Sequence, residues 1–296
     1  MEMRETLAKK VAWISLISNI ILTIGKVTIG WYGHSDAVFA DGIHSAADVF
    51  ASLIVVLVIK ISNKPADNEH PYGHGKAEVI VSGIVGFLLF EVSLYVVYEG
   101  VSGLFHQVEA PSLLAMWVAV FSFVAKIILY RSSLATAKQN NSKAIEAIAF
   151  DHKADIVASI AAAIGVLVTV IGQHFAISIL YYGDKVASIF VAYLIFKIAK
   201  EMLAEAFDIL LERNINTETL QEYITIIEEF PEVKRIDRIR AREHGHYIIV
   251  DLRIAIDHDK TIKQGHDLAR AIKKRLMEHH DNIDEVMIHL NPYYPD

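Results

Sequence analysis

The 296 residues carry 28 Lys and Arg against 35 Asp and Glu, a net charge of −7, and so lack the positive field that a nucleic-acid surface needs. Cysteine is absent, which excludes disulfides, thiolate metal ligands and thiol nucleophiles. Hydrophobic residues make up 53% of the chain, with a mean hydropathy of +0.36, and they crowd into the first two thirds.

Residues Met1 to Arg4 lack the short apolar core and small-residue cleavage site of a removable leader, so the first apolar segment is expected to remain as a span. Segments 11–31, 37–61, 79–105, 111–130, 145–171 and 186–204 each approach the length needed to cross roughly 30 Å of hydrocarbon at about 1.5 Å per residue. Six spans follow, the second and fifth being the least hydrophobic. Lys and Arg gather on one set of flanks: Arg4, Lys9 and Lys10; Lys60, Lys64 and Lys76; Arg131, Lys138, Lys143 and Lys153; Lys197 and Lys200. The opposite connections 32–36 and 104–110 hold none, and Lys185 stands alone beside the third, which places both termini in the cytoplasm.

The second segment places His44 and Asp48 one helical turn apart, with Asp41 a turn earlier, and the fifth places Asp151 and Asp155 the same way. Ionisable groups are costly at membrane depth and mark function there. Together the four could give one imidazole and three carboxylates to a tetrahedral divalent ion, with His152 rotated away. Asp41 is a pathway candidate. Protons compete with metal for such ligands, which predicts proton–metal antiport through helices that rock to expose one side at a time. Between the second and third segments, Asp67, His70 and His74 could converge on an ion if the loop containing Pro71 and Gly73 folds around it.

After Leu211 the chain turns polar, and a domain over 211–296 follows the membrane part at 1–210. Asn216 or Thr217 can cap a helix to about Glu229; Lys234–Arg242 and His246–Ile256 read as strands around a turn at Gly245; Lys260–His279 reads as a helix and Val286–Leu290 as a last strand. This is a small α+β domain, and pairing with a second copy would give it more core. Its candidate ligands are His266, His289, Asp237 and Asp251, spread over four elements.

Three stretches in order, GHSDAVFADGIHSAADVFAS, HPYGHGKAE and AFDHKADIVAS, resemble those of the cation diffusion facilitator family of divalent-metal transporters, and the likeness covers nearly the whole chain. The resemblance implies a homodimer with six spans per subunit in a cell membrane, a ferredoxin-like cytoplasmic domain, and metal efflux in exchange for protons. It implies a transport site at His44, Asp48, Asp151 and Asp155, a loop site at Asp67, His70 and His74, and a cytoplasmic site at Asp237, Asp251, His266, His289 and Asn291. It also implies a charge interlock between Lys76 and Asp208. Zinc-selective members commonly have histidine where Asp151 stands, and oxygen ligands favour Mn²⁺, so Mn²⁺ is expected as substrate, with Zn²⁺ next and Fe²⁺ or Co²⁺ behind. The metal is cargo and no cofactor is expected. The chain has no HExxH, GxSxG or phosphate loop, so a transporter is favoured over an enzyme; a membrane-bound metal sensor is the alternative of another class.

Overall fold

The computed structural model describes residues 2–105, 111–140 and 143–295. Six long helices come first: α1 (Glu2–Tyr32), α2 (Asp36–Ser62), α3 (Lys76–Gly103), α4 (Leu113–Asn140), α5 (Lys143–His174) and α6 (Gly183–Leu210), with a 3₁₀ turn at Ser178–Tyr182 before α6. Then follow α7 (Thr217–Glu228), β1 (Val233–His244), β2 (Tyr247–Asp257), α8 (Ile262–His279) and β3 (Ile283–Tyr293). The chain forms two compact units: residues up to Ile54 with Ile84–Leu203, and Val55–Gly83 with the residues from Ala204 onward.

Among the described residues, four helical stretches are long and apolar enough to cross a membrane: Lys10–Tyr32, Lys76–Gly103, Leu113–Gln139 and Ile148–His174. Helices α2 and α6, with 27 and 28 residues, are as long as these four stretches. Both carry ionisable residues: α2 has Asp36, Asp41, His44 and Asp48, and α6 has Asp184, Lys185, Lys197, Lys200, Glu201 and Glu205. The expectation for the fifth segment needs correcting, because its stretch has a mean hydropathy of 2.3, the highest of the four. Asp151 and Asp155 lie near its start and leave a clean apolar run behind them. The connection at 104–110, expected to hold no Lys or Arg, falls mostly on 106–110, outside the described residues.

The first unit inverts the pattern of a water-soluble core. Small and polar residues recur at helical spacing on the inner faces: Ala115, Ala119, Ser122 and Lys126 on α4, and Ala149, His152, Asp155, Ser159, Ala162 and Val166 on α5. Large apolar residues face outward, among them Trp13, Ile17 and Ile21 of α1, Phe87 and Leu88 of α3, and Trp117 and Phe121 of α4. Lipid tails are as apolar as Leu, so helix association in a bilayer relies on close packing of small residues and on polar contacts. A second cluster joins Ala40 and Ala47 of α2, Val85, Leu89 and Val96 of α3, Ala158 of α5, and Val191 and Ile195 of α6. At the start of α2, the buried Asp184 carboxylate accepts from Ser35 Oγ at 2.6 Å and from the Asp36 N–H at 2.7 Å. An anion there satisfies N–H groups that have no partner within the helix.

In the second unit, Asn216 caps α7 by accepting from the Thr219 N–H at 2.8 Å, and Thr261 and Gln264 form a reciprocal capping box on α8. The sheet has the order β1-β2-β3, antiparallel then parallel, with α8 as the crossover that a parallel pair requires. Gly245, at φ +74°, makes the β1–β2 turn. Strand β3 is longer than the expected Val286–Leu290 and continues through Pro292. Among the described residues it pairs only with β2, and an edge strand tolerates a missing N–H. Val250, Leu252 and Ile254 of β2 meet Tyr223 and Ile227 of α7 and Ile272 and Leu276 of α8 in one core.

Candidate metal centre

His44 and Asp48 sit one turn apart on α2, and Asp155 comes from α5. One ligand atom from each lies within 4.8 Å of the other two. His44 is 4% exposed and Asp155 2%. His44 Nε2 is 3.8 Å from Asp155 Oδ1. Among the described residues, that Oδ1, like His44 Nδ1, is buried with no N–H or hydroxyl donor in hydrogen-bonding reach, a cost that an ion in the group would relieve. A tetrahedral ion with roughly 2.1 Å bonds sets its donors about 3.4 Å apart, so closure asks for side-chain shifts on the order of 1 Å.

Asp151 does not belong to this group and is exposed. The buried stripe of α5 runs Ile145, Ala149, His152, Asp155, Ser159, so the inner position one turn before Asp155 falls to His152. His152, expected to be rotated away, is on this inner face, and its Nε2 lies 3.0 Å from Ser15 Oγ of α1.

Two fully buried lysines complete the polar interior. Lys126 of α4 is ion-paired with Asp155 Oδ2 and donates to Asn19 Oδ1 at 2.7 Å. Lys26 of α1 pairs with Asp41 Oδ2 at 2.8 Å and donates to Ser45 Oγ and Ser159 Oγ. Ser159 Oγ also donates to Asp41 Oδ2, at 2.9 Å. Asp41, expected along a pathway, is therefore held as the counter-ion of Lys26.

In the loop after α2, Asp67, His70 and His74 converge, with ligand atoms again within 4.8 Å. The backbone N–H groups of His70 and Glu69 donate to Asp67 Oδ1 at 2.7 and 3.0 Å. The His70 bond first, with that of Glu69, holds the Asp67 carboxyl below its ordinary value, so it stays ionised in mild acid. The other oxygen faces His74 Nε2 at 3.5 Å, and the two imidazole rings lie 4.4 Å apart. Gly73, at φ +82°, permits the turn that brings them together, and its N–H donates to His70 O at 2.9 Å. The histidines thus meet through a folded loop, not along a helix face. In the same unit Tyr247 donates its hydroxyl to Tyr72 O at 2.5 Å.

The tail candidates divide into separate sites. Asp237 accepts from Asn291 Nδ2 at 2.6 Å and from Arg235 Nε at 2.6 Å. Those two bonds, Asn291 first, keep its carboxyl below the usual range. Asp251 and His289 line a cavity of about 290 Å³ with Arg238, Arg240 and Arg253, a cationic setting that opposes a metal ion. His266 is exposed on α8, 3.5 Å from Asp267. Within one protomer the five expected ligands do not converge.

Residues 12–211 match the family described as the cation efflux transmembrane domain, and residues 215–293 match the cation efflux protein cytoplasmic domain. The chain belongs to the cation efflux family. Among curated proteins, the manganese efflux system protein MneP of Bacillus subtilis (strain 168) is 53% identical over 293 residues, 99% of each chain. The magnetosome protein MamB of Paramagnetospirillum magneticum is 33% identical, covering 96% of this chain and 94% of its own. A solved structure, the metal-bound C-terminal domain of the CzcD transporter from Thermotoga maritima, is 27% identical and covers 26% of this chain and 94% of its own, with a TM-score of 0.25.

The cation efflux protein keeps its buried lysines where the sequence offered a signal that went unread. Lys26 and Lys126 each interrupt an otherwise apolar run, IIL-TIG-K-VTIG and FVA-K-IIL, and an ionisable residue inside such a run is functional by default. The expected Lys76–Asp208 interlock is not formed within the protomer. Lys76 pairs with Glu212, which Arg242 also contacts at 3.0 Å, while Asp208 pairs with Arg213 at 2.6 Å. Glu212 lies four residues beyond Asp208 but past the end of α6, in a turn at φ +63° where helical spacing no longer applies.

Proposed function

We propose that this cation efflux protein exports Mn²⁺ across the plasma membrane in exchange for protons, with the ion held by His44, Asp48 and Asp155 and with Asp151 acting beside the group. The buried convergence of one imidazole and two carboxylates, with no N–H or hydroxyl donor among the described residues in reach of Asp155 Oδ1, carries this reading. Its oxygen-rich ligand set suits Mn²⁺ better than a nitrogen-rich set would, although intrinsic affinity still ranks Zn²⁺ above Mn²⁺. The name of the relative MneP, a manganese efflux system protein, supports the same ion.

Protons and metal compete for the same carboxylate oxygens, so metal loading from one side and protonation from the other give exchange. Six helices over residues 1–210 would carry the ion, both termini would lie in the cytoplasm, and residues 211–296 would pair with a second copy. Asp67, His70 and His74 would hold a further ion in the loop. A cytoplasmic site at Asp237, Asp251, His266, His289 and Asn291 has no convergence within the protomer to support it.

The test is ion-dependent proton flux in sealed proteoliposomes for the intact chain and Asp155→Asn, comparing Mn²⁺, Zn²⁺, Fe²⁺ and Co²⁺. Saturable Mn²⁺-driven flux that falls at least about 100-fold in the mutant is expected for loss of an essential buried carboxylate. Near-normal flux in the mutant would overturn the site. Selective Zn²⁺ flux would overturn the ion, and metal binding without flux in vesicles of controlled orientation would favour a sensor.

A further inference from the structure

Asp155 divides its two oxygens between different neighbours, an imidazole and an ammonium. Oδ1 faces His44 at 3.8 Å and has no N–H or hydroxyl donor in reach among the described residues, whereas Oδ2 is taken by the ammonium of Lys126. Lys126 is fully buried, so its charge is poorly screened, and it also donates to Asn19 Oδ1 at 2.7 Å. Asn19 on α1, Lys126 on α4 and Asp155 on α5 thus form one polar chain that ends on the ligand oxygens.

Resting on the reading of His44, Asp48 and Asp155 as the transport site, we propose that Lys126 sets the affinity of that site: it restricts Asp155 to one metal-facing oxygen and places a fixed positive charge beside the ion, weakening binding enough for release. Two physical effects act in the same direction. An acceptor already engaged by an ammonium has less capacity for a second cation, and a like charge one carboxylate away from a divalent ion repels it through a medium of low dielectric. A carrier with unrestrained ligands would bind more tightly and let go more slowly, and tight binding of the cargo does not raise turnover. Lys26 does not occupy a ligand oxygen of Asp155, because its Nζ is engaged with Asp41, Ser45 and Ser159.

The experiment measures Mn²⁺ KM and kcat in proteoliposomes, and equilibrium Mn²⁺ binding by calorimetry, for the full chain and for Lys126→Met, Lys126→Gln and Lys126→Arg. Removing an adjacent charge of this kind changes the occupancy of an ionised group by roughly 10- to 1000-fold, so KM and Kd should fall at least about tenfold in Lys126→Met, with kcat falling as well. Lys126→Gln keeps a hydrogen-bond donor for Asp155 and should show the same fall even if Met at this position impairs folding. Lys126→Arg keeps the charge and should stay within about threefold of the parent, less than the cost of one ordinary hydrogen bond. Unchanged or raised KM in folded Lys126→Met and Lys126→Gln would overturn the proposal, as would an equal fall in Lys126→Arg. Asp155→Asn separates the two readings: loss of binding there with unchanged KM in the Lys126 variants rejects only the role of Lys126, whereas retained binding there rejects the site itself.

Discussion

Asp41 and Lys26 are buried together at 2.8 Å, which makes the cost of parting them testable. Removing one member strands the other's charge in a low dielectric, a loss of about 3–5 kcal/mol in buried pairs, whereas removing both is often close to neutral. Asp41→Asn and Lys26→Met should each lower the thermal midpoint of the detergent-solubilised protein, and the double variant should recover most of the loss. If the double variant is as unstable as the sum of the singles, the two residues act independently and Asp41 returns as a pathway group. This pair also shows how far single residues were legible. Four-residue spacing put His44 and Asp48 on one face of α2, because a helix fixes which side chains share a face, and Asp155 of α5 has a ligand atom within 4.8 Å of theirs. The same rule proposed Asp151, but it gives relative angles only, and the absolute rotation of α5 is set by packing against α1 and α4, where His152 takes the inner place. Charge pairing across helices has no sequence period, so Lys26 and Lys126 could be marked as anomalies but not matched to partners.

The loop of residues 63–75 and strand β1 supply predictions at the level of elements. In the loop, His74 and Asp67 approach through Gly73, and imidazoles bind metal only when neutral. His74→Ala should remove one equivalent of bound Mn²⁺ or Zn²⁺ from the intact protein while leaving vesicle flux within about threefold, since each ligand of a site usually contributes more than 1 kcal/mol to that site alone. Flux lost in parallel with this binding would mean that the loop belongs to the transport path. In β1, Asp237 is bonded to Asn291 of β3 and to Arg235, and its folded-state value is lowered. A lowered carboxylate contributes stability that is present above the ordinary Asp value of about 3.9 and is lost as pH falls through the lower folded value. Asp237→Asn should therefore reduce hydrogen-exchange protection of β1 and β3 at pH 7, and the difference from the parent should vanish in strong acid. A difference that persists there would assign the effect to packing instead of charge. The tail elements were readable because caps, Gly245 and strand alternation are local signals. The extension of β3 through Pro292 was not, since tolerance of Pro depends on being the sheet edge.

For the whole molecule, the two compact units assign different work to different stretches of sequence. His44, Asp48 and Asp155 all lie in the unit formed by residues up to Ile54 and Ile84–Leu203, and so do their lysine and serine neighbours. The other unit packs its own core from α7, α8 and the sheet, and holds Asp67, His70 and His74 by contacts such as Tyr247 to Tyr72. Ion choice is a property of ligand type and spacing, so it should survive loss of the sheet domain, while association between copies should not. Deleting residues 213–296 should therefore lower the fraction of dimer seen by light scattering in detergent at micromolar protein and leave the ratio of Mn²⁺ to Zn²⁺ flux within about threefold, a difference below 1 kcal/mol in relative binding. The deletion also removes Tyr247, so the loop site should lose affinity in the same experiment, which gives an internal control that the second unit has been disrupted. A shifted Mn²⁺ to Zn²⁺ ratio with dimerisation intact would reverse the assignment and make the sheet domain a participant in selecting the ion.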